Sequence, residues 1–137
     1  MIGDMRLKLM TAIAAGLLCA CTRSQDPAFD GATLFATHCV ACHGVVGEGD
    51  GPVAAVMQIS VPNLRALRRR NDGDFPAESL RAFIDGRNLP ASHGDRYMPV
   101  WGDVFRWPED GKDDGEIERL ARARIDALVA YVEGLQY

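Results

Sequence analysis

Cys39-Val40-Ala41-Cys42-His43 is the stretch on which the reading of this chain turns. Two thiols three positions apart can each form a thioether to one edge of a porphyrin, and the imidazole that follows at once can stand beneath the iron as its proximal ligand. The pentapeptide would then fix a cofactor both covalently and axially. Two other chemistries use the same residue types. A dithiol redox pair would sit near a βαβ pattern, and the hydrophobic periodicity shows none. A closed zinc site built on Cys39, Cys42 and His43 would need a fourth donor, from His38 or His93.

Immediately upstream, Ala32, Leu34, Phe35 and His38 recur at helical spacing, so a helix is predicted to run into Cys39 and to hold the thiols and the imidazole in one orientation. The folded body is expected to begin near Phe29 or Asp30. Downstream, glycines at 44, 47, 49 and 51 followed by Pro52 mark a loop. No strand precedes it and no Lys-Ser/Thr closes it, so a phosphate cradle is not indicated. Glycines here would instead let the backbone pass close to a face or edge of the cofactor. Pro52 to Met57 is expected to form a short helix with proline in its first turn.

Farther upstream, Arg6 and Lys8 precede an uncharged, mainly apolar run over residues 9–18, the pattern of an export signal occupying residues 1–20. The run is too short to remain as a spanning helix. Leu18-Cys19-Ala20-Cys21 resembles the lipobox of bacterial lipoproteins, which makes Cys21 the lipidated residue, with residues 21–28 as the lipidated N-terminus and polar tether. Several acyl chains on that residue would hold the protein stably at a membrane. The absence of Asp at position 22 favours the outer membrane, and a soluble periplasmic protein cleaved near Ala20 is the rival reading.

Length and charge set the outer limits. The chain has 137 residues and a formal net charge of -4, from 15 Lys plus Arg and 19 Asp plus Glu. That is one domain, expected over residues 29–137, small enough that a large buried cofactor would supply much of its core. The acidic balance gives no case for nucleic acid. Of the four cysteines, Cys19 and Cys21 lie near the N-terminus and Cys39 and Cys42 in the C-x-x-C, so no pair is left over for an obvious structural disulfide.

The remaining chain reads as helices and turns. Arg65, Arg68, Arg69 and Arg70 read as a solvated face, or as a docking patch or counter-charge to propionates. A helix is expected from Pro76 or Ala77 to Gly86, with Leu80, Phe83 and Ile84 facing inward. Residues 105–115 are acidic and turn-rich and read as a surface insertion. Ile117, Leu120, Ala121, Ile125, Leu128, Val129, Val132 and Leu135 repeat at helical spacing, so residues 116–135 are predicted as a long amphipathic helix. Its opposite face, with Glu118, Arg119, Arg122 and Glu133, reads as solvated surface.

Four blocks in order carry a resemblance to a known family: Gly31-x-x-Leu34-Phe35-x-x-x-Cys39-x-x-Cys42-His43-Gly44, then Gly47-x-Gly49-Asp50-Gly51-Pro52, then Pro62-Asn63-Leu64, and Met98-Pro99-Val100-Trp101-Gly102. Over residues 31–136 the chain resembles a class I, mono-haem bacterial cytochrome c. The resemblance implies an all-α fold of three to four helices wrapped around one covalent haem c, with His43 and Met98 as iron ligands and one-electron transfer as the function. It also implies that the Pro62 carbonyl accepts the proximal imidazole N–H, with Pro52 as a competitor, and that Leu64 packs on the haem. Trp101 would either pack near the haem with its indole N–H on a propionate or carbonyl, or act as a plain apolar anchor.

Met98 stands in a non-helical Tyr-Met-Pro-Val-Trp-Gly segment, because the residue before a proline is pushed to extended geometry. A neutral thioether there would raise the potential. His93, five residues upstream, is the rival ligand and would give a bis-His haem of lower potential. The function expected is electron carriage at the extracytoplasmic face of a membrane, with transient redox-protein partners and no enzyme chemistry. The alternatives are a haem subunit of an oxidase or dehydrogenase complex, and a five-coordinate sensor or peroxidase-like enzyme.

Overall fold

The computed structural model describes residues 29–89, 97–107 and 111–137. The leader over residues 1–20, Cys21 with its tether, and His93 lie outside the described residues. Six α-helices follow one another: α1 (Gly31–His38), α2 (Val40–His43), α3 (Leu67–Arg70), α4 (Ala77–Asp85), α5 (Trp101–Val104) and α6 (Asp114–Gly134). Short 3₁₀ turns stand at Ala54–Val56 and Leu64–Ala66, and no strand occurs among the described residues.

α6 is the axis of the body. Asp113 caps it, its carboxylate accepting the Glu116 N–H, and acids at 114 and 116 suit the positive end of the helix dipole. Its inward stripe, Ile117, Ala121, Ile125, Leu128, Val129 and Val132, is buried. Each such aliphatic contributes about 1.5–3 kcal/mol when fully buried. α1 crosses one part of this stripe, and α4 and α5 cover another while touching each other. Leu34 and Phe35 from α1, Ile84 from α4 and Phe105 complete the core.

The α1–α6 crossing is close because residue 31 has no side chain. A Cβ at Gly31 would overlap the Ala127 carbonyl oxygen and stand 2.8 Å from Tyr131 Cβ. Asp30 starts α1 by accepting the Thr33 N–H at 2.9 Å.

Several expectations need correction. Ala32 is exposed, since only Leu34 and Phe35 of α1 reach the core. Phe83 is 59% exposed, because α4 meets its neighbours along the Leu80–Ile84 line and Phe83 lies about 100° round the helix from Ile84. Phe105 is not on a surface insertion: it is 5% exposed and follows α5 directly into the core. Trp101 likewise begins α5. The helix expected over residues 52–57 is a single 3₁₀ turn. Glu118 and Glu133 are not idle surface, since Arg87 and Arg68 bond them.

Candidate cofactor site

The C-x-x-C-H stretch lies at a step in the helix rather than along a straight one. Cys39 caps α1, donating its N–H to the Phe35 carbonyl at 2.9 Å. α2 then carries Val40 to His43 in one further turn, closed by Gly44 at φ +79°. Both cysteines are free thiols and partly buried.

The glycine-rich loop folds back on this turn. Gly49, Gly51 and Val53 donate their N–H groups to the carbonyls of His43, Cys42 and Ala41 at 2.8, 3.1 and 2.9 Å. Carbonyls that a helix end leaves unpaired are thereby satisfied. A Cβ on Gly51 would stand 2.5 Å from the Ala41 oxygen and 2.6 Å from the Cys42 carbonyl carbon, so only glycine lets the two backbones approach. The close approach that the sequence assigns to a cofactor face is, in the structure, made to the backbone of the attachment turn. Glycine at alternate positions 47, 49 and 51 was the available signal.

Beyond the loop, the Leu64 N–H donates to the Gly47 carbonyl at 2.7 Å, which brings the Pro62-Asn63-Leu64 block under the imidazole. His43 Nδ1 lies 3.2 Å from the Pro62 carbonyl oxygen. Because a carbonyl only accepts, Nδ1 carries the proton and Nε2 keeps its lone pair. Pro62, not Pro52, holds this place. Burial pulls the His43 pKa below 6.5, against the opposing pull of the Pro62 carbonyl, and so favours the neutral, ligating form.

Cys39 runs the other way from a reactive thiol. Burial, with Cys42 adding to it, pushes its pKa up to about 12, whereas redox dithiols depend on a depressed value. Among the described residues, no three or more His, Cys, Asp or Glu side chains gather to hold a metal ion, so Cys39, Cys42 and His43 do not converge on a zinc position with His38.

Partly buried apolar side chains from several elements pack against the core, among them Cys39, Leu64, Leu67, Phe75, Leu80, Met98 and Trp101. Met98 is thus on the molecule's apolar body and not on an outlying loop. Trp101 stacks on Phe105, with ring centroids 5.6 Å apart, and both rings meet His38 at 5.2 and 5.4 Å. His38 is therefore an aromatic partner that joins the end of α1 to the start of α5, a role its position beside Cys39 did not reveal.

A family model described as Cytochrome c matches residues 28–136. The chain belongs to the cytochrome c family. No curated protein and no solved structure matches it. The cytochrome c family implies a covalently bound c-type haem and haem-based electron transfer. The donors in this chain fit that group: two thiols on one turn, an imidazole whose Nδ1 meets the Pro62 carbonyl, and a thioether packed on the apolar core.

Proposed function

We propose that this cytochrome c is a membrane-tethered, extracytoplasmic one-electron carrier of class I type with a single haem. Cys39 and Cys42 would hold the haem through thioethers, and His43 Nε2 and Met98 Sδ would be the donors to its iron. The observation that carries this reading is the His43 Nδ1–Pro62 oxygen contact of 3.2 Å, made at the end of the turn that bears both thiols. It fixes the tautomer and the ring direction that a proximal ligand requires and makes Nε2 a better donor.

The haem supplies a one-electron couple; the chain sets its potential and its access. The Met98 thioether, soft and neutral, favours the reduced state. Leu64, Leu67, Leu80 and Trp101, all packed on the apolar core, would help to keep water from the haem. Cys21, acylated after export, holds the domain at the membrane while residues 21–28 give it reach. Docking to redox partners would be small in area and short-lived.

A redox titration with optical readout on the purified protein tests this. The expected result is a low-spin, six-coordinate oxidised form that titrates reversibly as a one-electron couple. High-spin iron that takes up carbon monoxide quickly would contradict it and would point to a sensor or peroxidase-like role.

A further inference from the structure

Arg87 grips two carboxylates at once. Its Nε and Nη2 donate to Asp85 Oδ1 and Oδ2 at 2.7 and 2.6 Å, and its Nη1 and Nη2 donate to Glu118 Oε2 and Oε1 at 2.7 and 2.9 Å. The three side chains are only 21, 23 and 28% exposed. Arg106 and Arg122 also reach Glu118, at 3.2 and 3.5 Å, so neither carboxylate is left with uncompensated charge.

The position of this clamp in the chain gives it a consequence. Asp85 is the last residue of α4, Gly86 turns the chain out of the helix at φ +74°, and Glu118 belongs to α6. On the other side, Gly102 of α5 lies directly on the ion pair. A Cβ there would overlap Arg87 Nε and stand 2.9 Å from Asp85 Cγ. The clamp therefore holds both the exit from α4 and the entry to α5, and Met98 lies between them.

We infer that Arg87 is a positioning residue for Met98: by binding Asp85 and Glu118 while backing Gly102, it fixes the start of α5 against α4 and α6 four residues after Met98, and so sets where the sulfur stands. The inference rests on the reading of Met98 as an axial ligand. Fixing the chain four residues from Met98 removes conformational freedom that would otherwise compete with a weak bond to its sulfur. The planar fork matters, because lysine, a point charge with three donors, cannot grip two carboxylates bidentately.

The test uses the oxidised holoprotein with Arg87→Lys, Glu118→Gln and, as a control, Arg81→Lys. Arg81 also bridges α4 to α6, through Asp126 at 2.6 Å, but it does not touch Gly102. Three quantities are read: the long-wavelength thioether-to-iron band, the midpoint potential, and the dissociation constant of added imidazole, which competes with Met98. Arg87→Lys and Glu118→Gln are expected to weaken the band, lower the potential and tighten imidazole binding about tenfold, as the Met98-bound population falls. Arg81→Lys is expected to keep the parent values even if it melts earlier. Should Arg87→Lys fail to fold, Glu118→Gln preserves side-chain size and the Arg87–Asp85 pair. Unchanged band, potential and imidazole affinity in both variants, or equal changes in the control, would overturn the inference alone. A parent protein without the band would overturn the Met98 ligand and the inference together.

Discussion

His43 and Met98 differ in how firmly the chain holds them. The imidazole is fixed by a hydrogen bond to Pro62, whereas the thioether stands just before a proline, four residues ahead of Gly102. Replacing the softer of the two should therefore read out cleanly. Met98→Ala is expected to lower the midpoint potential by on the order of 0.2 V, within the roughly 0.8 V that axial ligation spans. An unchanged potential would remove Met98 from the iron. His38 offers a second test. Desolvation holds its pKa below 6.5, so the folded chain resists a proton that the unfolded chain accepts. Stability should therefore fall as pH drops below about 6.5, and above that value His38 contributes no pH dependence. Arg87 holds the carboxyls of Asp85 and Glu118 below their ordinary 3.8 and 4.5, so what they contribute is lost only at lower pH. Melting the holoprotein between about pH 7.5 and pH 5 should show the loss, and His38→Phe should flatten it. At this scale Cys39, Cys42 and His43 were legible because they are adjacent in the chain, whereas Pro62, 19 positions from His43, was indicated only by the family resemblance. Glu118 was not, since its partner Arg87 lies 31 positions away and an acid on a helix surface looks the same with or without one.

α1 and α6 make the contact on which the body is built, and glycine at 31 decides how near they come. Alanine is about 1 kcal/mol better than glycine within a helix, so Gly31→Ala would stabilise α1 taken alone. Overlap of the new methyl with the Ala127 carbonyl works against this. The clash should prevail because the obstacle is backbone, and the variant is expected to lose about 1–3 kcal/mol in denaturant unfolding. A variant as stable as the parent would mean that the crossing is looser than described. The long repeat of α6 and the Gly86 stop of α4 were readable from periodicity and caps. Phe105 was not, because it stands next to turn residues with too few apolar neighbours to show a period, and only the fold of α5 against α6 carries it inward. Phe83 failed for the opposite reason: it matches the period, but the α4 contact line stops short of it.

The whole molecule is a small acidic helical body expected to complete its interior with a cofactor and to reach its partners from a lipid anchor. No helix among the described residues is long and apolar enough to cross a membrane; in the proposed anchoring the tie is the acylated Cys21. Cys21→Ser, expressed with its leader, is expected to move the protein from the membrane fraction to the soluble one. Retention in the membrane would argue for a protein partner instead. All of this depends on a haem joined to the chain by two bonds, and intact mass under denaturing conditions measures that directly. Mature protein from a host able to attach c-type haem should weigh as polypeptide, acyl groups and one haem, and keep its colour on unfolding. A mass equal to the polypeptide and its acyl groups alone would contradict the account.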